Sequence, residues 1–140
     1  LRDVNLAMLD SFRSGLSSKL YRHAKFVIEE NERVLKAVEA LKKGNLSELG
    51  ELLFQSHKGL SEEYEVSCPE LDFLAEKAMK IEGVLGARMM GGGFGGCSIN
   101  LLSCENADNF REEIFSAYKQ KYGIEPEIYT VETAGGSSRV

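Results

Sequence analysis

The chain has 140 residues, 43% hydrophobic and 28% charged, a globular composition at a length that suits one domain with a real core or half of a two-lobed protein. It contains no apolar run of about 18 residues, so no membrane helix is expected. The formal net charge is −5 with no basic run of the kind that follows nucleic acid, so an anionic partner would need backbone N–H groups, a helix N-terminus or a bound cation.

In chain order, Asp3 or Asn5 is expected to cap a short helix through Leu6, Leu9 and Phe12 that stops near Gly15. A long amphipathic helix follows, with Leu20, Ala24, Val27, Ile28, Asn31, Val34, Leu35, Val38 and Leu41 at three- and four-residue spacing. Lys42 and Lys43 suit its C-terminal dipole, and Gly44 can take the left-handed position beyond it. Asn45 with Glu48 reads as a capping box opening the next helix, whose expected buried stripe is Leu46, Leu49, Leu53 and Leu60. Ser67 with Glu70 repeats the device, and Leu71, Leu74, Ala75 and Ala78 form the stripe of a third. The period then changes. Val84–Met90 suits a strand, and Cys97, Ile99 and Leu101 alternate with Ser98, Asn100 and Leu102 as another. Asn106 is expected to cap a helix carrying Phe110, Ile114, Tyr118 and Tyr122, ended by Gly123 and Pro126. Ile128–Val131 reads as a last strand, and the tail from Ala134 carries no assignment. The sum is an α+β domain, with helices packed on one face of a small antiparallel sheet.

Cys68, Cys97 and Cys104 are odd in number and lack metal spacing, which points to free thiols in a reducing, cytoplasmic compartment. His23 and His57 make no metal motif, so no metal site is expected in the chain. Arg2 and Asp3 lead into the first helix without an apolar h-region, so no signal peptide is expected; the start at Leu1 is read as a piece of a longer product.

The densest signal is ARMMGGGFGGCSINLL, Ala87–Leu102, with five glycines in the six positions Gly91–Gly96 around a lone Phe94. Gly91, Gly93 and Gly96 fit G-x-G-x-x-G, but a dinucleotide site needs a helix next, and here the pattern alternates like a strand. Gly91 and Gly96 have P-loop spacing, yet Cys97 and Ser98 stand where Lys and Ser/Thr are needed. A protein-kinase glycine loop does lie between strands, but V-A-I-K, H-R-D and D-F-G are missing. What remains is a bend that permits positive φ and close main-chain approach. It is either a cradle for phosphate or for another loop holding one, or a tight strand connection with no ligand; the physics of the sequence leaves both open.

At these residues the chain resembles a known family. GARMMGGGFGGCSINLL is similar to the third motif of the GHMP small-molecule kinases, in the form typical of galactokinases. RHAKFVIEENERVLKAVEALKKGNLSELGELLFQSHKGLSEEYEVSCPELDFL extends the likeness, and SHKGLSEEYEVSCPELD favours the galactokinase type over mevalonate or homoserine kinases. The resemblance implies that residues 1–140 form the C-terminal domain, ferredoxin-like in fold, of a two-lobed enzyme using ATP and Mg2+ to phosphorylate the anomeric hydroxyl of galactose. The catalytic residues would lie in an N-terminal lobe outside this chain, and none is expected within it. What the resemblance assigns here is closure of the ATP site by Gly91, Gly92, Gly93, Phe94, Gly95 and Gly96, with Arg88 a weaker candidate for a phosphate contact. No nucleic acid or membrane partner is implied. An N-acetylgalactosamine kinase, a non-catalytic sugar and nucleotide sensor and a stand-alone interaction domain remain open alternatives. One departure is Met90, where galactokinases commonly carry Thr; a thioether accepts hydrogen bonds only weakly.

Other residues have plainer readings. Arg88 also suits a surface ion pair. Ser56 and His57 are adjacent on a helix and point about 100° apart, so they are expected to be structural and not a nucleophile–base pair. Cys97 is expected to be buried and inert, Phe94 to anchor the loop in apolar surroundings, and Glu62, Glu63 and Glu65 to form a solvated face.

Overall fold

The computed structural model describes residues 2–136, so the tail lies outside it from residue 137 on. The described residues form five α-helices and two strands: α1 (Leu6–Ser11), α2 (Ser18–Lys42), α3 (Leu46–Glu62), α4 (Pro69–Ala78), β1 (Val84–Met89), β2 (Ser98–Leu102) and α5 (Ala107–Tyr122). Short 3-10 turns precede α2 and α5. Local chemistry sets most boundaries. Asn5 Oδ1 accepts the Met8 amide at 2.9 Å, and Ser17 Oγ accepts that of Leu20 at 3.2 Å. Asn45 Oδ1 accepts the Glu48 amide at 3.2 Å, while the Glu48 carboxylate takes the Asn45 side-chain amide. Gly44 and Gly123 end α2 and α5 in left-handed conformations that glycine adopts without a Cβ clash. The box expected at Ser67 and Glu70 is not made. Cys68 is the N-cap with no side-chain bond, Pro69 opens α4 and the Ser67 hydroxyl is buried without a partner.

The strands pair antiparallel, with Met89 opposite Ser98, Ala87 opposite Asn100 and an irregularity between Val84 and Gly86. α3 lies against β1 at backbone distance. A Cβ built on Gly50 would overlap the Leu85 carbonyl, and one on Gly86 would come within 2.8 Å of the Gly50 carbonyl carbon. α3 therefore buries two faces. Leu52, Ser56 and Gly59 meet α2, where Ser56 Oγ donates to Glu30 at 2.5 Å and Gly59 lies under Phe26. Gly50, Phe54, His57 and Ser61 face β1 and α4. The main core joins Ala78, Ile81, Ala87, Phe110 and Ile114, with Phe54, Leu74, Val84, Leu102 and Ile128 packed against it.

Several expectations give way here. Of the expected α3 stripe Leu46 is exposed and Leu49, Leu53 and Leu60 are only half-buried; the fully buried positions are Gly50, Leu52, Ser56, His57 and Gly59, mainly small or polar, because the helix approaches β1 and α2 closely. On α2 the most apolar stripe faces outward: Val34, Leu35, Val38 and Leu41 are exposed, Leu35 at 69%. The inner stripe runs Phe26, Glu30, Arg33, Ala37 and Ala40, small at one end and satisfied by ion pairing in the middle. Residues 128–131 form no strand. A strand needs a ladder partner, and here the Arg111 guanidinium on α5 instead donates to the Ile128 carbonyl and Thr130 Oγ1, leaving Tyr129 and Val131 exposed. All three cysteines are free, but Cys97 is exposed: β2 begins one residue later, and Cys97 belongs to the loop. Among the described residues no helix is long and apolar enough to cross a membrane.

Candidate functional site

The loop between β1 and β2 spans Met90–Cys97 and closes at its neck, where the Met90 amide donates to the Cys97 carbonyl at 2.9 Å. Gly91, Gly93, Gly95 and Gly96 all have positive φ, as does Phe94 at 61°. Gly93 is the one position in the loop where a side chain is excluded by contact as well as by φ. A Cβ there would overlap the Val66 carbonyl oxygen and stand 2.9 Å from Met89 Cε. Cβ atoms built on Gly91, Gly92, Gly95 and Gly96 meet open space.

What holds the loop is main chain. The Phe94 amide donates to the Val66 carbonyl at 2.7 Å. Val66 lies in the connector between α3 and α4 and is itself tied down through its amide to the Leu60 carbonyl at 3.0 Å. The Phe94 ring is 77% exposed, so it does not anchor the loop; its backbone does that. Val66 lies within SHKGLSEEYEVSCPELD, but nothing in that segment marks it as the support of the loop, because a carbonyl contact has no side-chain signature.

Among the described residues, the amides of Gly91, Gly92, Gly93, Gly95, Gly96 and Cys97 donate to no protein acceptor. Left-handed Gly91 and Gly93 flank Gly92, which is not left-handed. Alternation of left-handed and other residues is the kind of backbone from which anion-binding concavities are built. The arrangement can bind negative oxygens through main chain alone. It offers a hard cation no carboxylate, since Met90–Cys97 contains none and the sulfur atoms of Met90 and Cys97 are soft donors. No group of three or more His, Cys, Asp or Glu among the described residues could hold a metal.

The other candidates separate in space. Arg88 stands 3.6 Å from Glu30 Oε1 through its Nη1, and its Nε donates to the Met89 carbonyl at 3.0 Å. Ser56 turns to Glu30, whereas His57 Nδ1 accepts the Met89 amide at 3.2 Å, so the two do not pair. Glu65 is bound by Lys19 and Arg22, and the Glu63 carbonyl accepts Arg22 Nε. The hydrogen bond from Lys19, followed by the charges of Arg22 and Lys19, lowers the Glu65 carboxyl from its ordinary value, as expected of an ion-pair partner.

The family described as GHMP kinases C terminal matches residues 37–120, well over half of the chain. The chain belongs to the GHMP kinases. Within that family it is similar to the galactokinase of Thermotoga petrophila, 46% identical over 125 residues, covering 89% of this chain and 36% of that protein. The galactokinase of Staphylococcus saprophyticus is 42% identical over 137 residues, covering 97% and 36%. Among solved structures, Lactococcus lactis galactokinase complexed with galactose superposes with a TM-score of 0.82 at 39% identity, over 89% of this chain and 32% of that one. L. major mevalonate kinase in complex with R-mevalonate reaches a TM-score of 0.53 at 25% identity, over 81% of this chain and 32% of that one. The chain spans about a third of the length of the curated relatives it matches. As a GHMP kinase C-terminal domain it carries the helices and antiparallel pair expected of that fold.

Proposed function

We propose that this domain closes the nucleotide site of a cytoplasmic, galactokinase-type sugar kinase, which transfers the γ-phosphoryl of Mg-ATP to the anomeric hydroxyl of galactose. The observation that carries the reading is the glycine loop, with six unpaired amides and two left-handed glycines flanking a third. Support comes from the similarity to galactokinases at 42–46% identity and to a galactokinase structure containing galactose.

Phosphoryl transfer needs little covalent assistance; positioning and charge stabilisation supply most of the acceleration. Amides fixed by the fold reorganise little as charge moves from the γ-phosphoryl to the leaving β-phosphate oxygen, so they suit that work. In this reading Gly91–Gly96 orient phosphate oxygens and press against the phosphate-holding part of an N-terminal lobe. Val66 keeps the loop from folding away. The sugar hydroxyl attacks phosphorus, and its proton passes to a base outside this domain. Mg2+ supplies charge neutralisation when bound with ATP, through ligands that the loop does not contribute. Arg88, occupied by Glu30, is the secondary candidate for a phosphate contact.

The test is galactose-dependent ADP release by this chain alone and by the protein extended to the length of its relatives. Turnover is expected only from the longer form. Turnover by the 140-residue chain alone would refute the division of labour, and a longer form that ignores galactose but accepts another sugar would remove the galactokinase assignment.

A further inference from the structure

The residue immediately before the loop neck is held by a side chain that the phosphate reading does not use. β1 pairs with β2 along one edge, which leaves the Met89 amide pointing away from the sheet. His57 on α3 meets it there, with Nδ1 accepting at 3.2 Å, and both residues are buried. Because Nδ1 accepts, the ring proton belongs on Nε2. That nitrogen stands 3.3 Å from Asp72 Oδ1 on α4, an electrostatic contact whose angle does not make a hydrogen bond, and among the described residues neither atom has a hydrogen-bond partner. Asp72 is oriented in turn by Ser61, whose Oγ donates to Oδ2 at 3.0 Å. The backbone contact between Gly50 and the Leu85–Gly86 segment brings α3 close enough for this reach.

We propose that His57, set in its Nε2–H tautomer by the Met89 amide on Nδ1 and faced by the Asp72 carboxylate on its other side, is a positioning residue for the nucleotide site, fixing the angle at which the glycine loop leaves β1. It acts through Met89, whose side chain packs under Gly93, and it works together with the Val66 carbonyl. The loop is thereby held at both ends of its first half, at Met89 by α3 and at Phe94 by the connector. This proposal rests on the reading of the loop as part of the ATP site.

The groups facing His57 are Asp72 and Glu76 from α4 and Arg88 from β1. Burial outweighs the two carboxylates and, with the Arg88 charge, lowers the His57 pKa below its ordinary 6.5. Protonation would put a hydrogen on Nδ1 and turn the acceptor into a second donor facing the Met89 N–H.

Two substitutions separate positioning from bulk stability, made in the full-length protein. Asn at position 57 keeps an acceptor near the place of Nδ1 and gives up the reach to Asp72. Gln keeps the reach and gives up the acceptor. His57→Gln is expected to raise KM for ATP about fivefold, the equivalent of one lost hydrogen bond, while KM for galactose holds. His57→Asn is expected to restore most of the ATP KM even where both variants melt earlier. In the parent, KM for ATP should climb only as pH falls through the lowered His57 pKa, beneath the ordinary histidine value, and in His57→Asn that climb should vanish. Equal ATP KM values for the Asn and Gln variants, or the same pH climb in His57→Asn, would overturn the proposal. Hydrogen exchange of the Met89–Cys97 amides provides the arm that does not depend on ATP. Faster exchange in the Gln variant than in the Asn variant supports the clamp, and equal exchange overturns it. A parent that binds no ATP would instead sink the nucleotide reading, with the exchange comparison still deciding whether His57 holds the loop.

Discussion

Replacing Gly50 by alanine sets two physical effects against each other, and the structure decides the sign. Gly50 lies inside α3, where alanine is favoured over glycine by roughly 1 kcal/mol. On helix propensity alone Gly50→Ala stabilises. The added methyl, however, would overlap the Leu85 carbonyl and approach Leu85 Cβ to 2.9 Å. The obstacle is backbone, so no rotamer change relieves it; helix and strand must separate, which in a packed core costs about 1–3 kcal/mol. Taking the upper part of that range, because two main chains must move, the net is a loss of about 2 kcal/mol. For a chain of this size that is a fall of roughly 7 °C in Tm. Gly59→Ala is the control. Its methyl would come 2.5 Å from Phe26 Cε2, a side chain and not main chain, so the crowding is partly relieved by movement of the ring and the loss should be smaller than at Gly50. Thermal unfolding followed by circular dichroism compares the two. A Gly50→Ala chain melting at or above the parent would mean that α3 does not rest on β1, and the placement of His57 would fall with it.

The loop carries three further expectations. Gly93→Ala should disturb more than Gly91→Ala, since both have positive φ but only Gly93 faces the Val66 carbonyl; a loss of about 1–2 kcal/mol from φ alone is common to both, and the excess at Gly93 measures the contact in denaturant unfolding. In the full-length protein the same pair should differ in KM for ATP, and equal values would argue against Val66 as the support. Phe94→Ala should leave the stability of the domain within about 0.5 kcal/mol despite the size of the ring removed, which urea titration can read directly. Arg88→Ala should change KM for ATP less than about twofold, because its guanidinium is engaged by Glu30; a larger rise in steady-state assays would promote Arg88 to a phosphate contact.

What the sequence determined by itself was local. Asn5, Gly44, Asn45 and Gly123 act on groups within three or four residues, so the helix ends they set are legible without a partner. The glycine stretch was equally plain, and the strand-like alternation after it, the absence of a P-loop Lys and the absence of the protein-kinase motifs separated it from three familiar phosphate loops. Tertiary structure decided which faces those elements bury. On α2 the more apolar stripe points outward, because Ala37 and Ala40 let α3 come close and Glu30 finds Ser56 and Arg88 across the gap. It decided too that Ile128–Val131, strand-like in composition, runs unpaired beside Arg111, and that Cys97 belongs to the loop. The supports of the candidate site lay deepest out of view: the carbonyl of Val66 and the imidazole of His57 meet residues 28 and 32 positions away. Such contacts exist only after two glycines, Gly50 and Gly86, have let a helix settle on a strand, and no pattern of hydropathy encodes that approach.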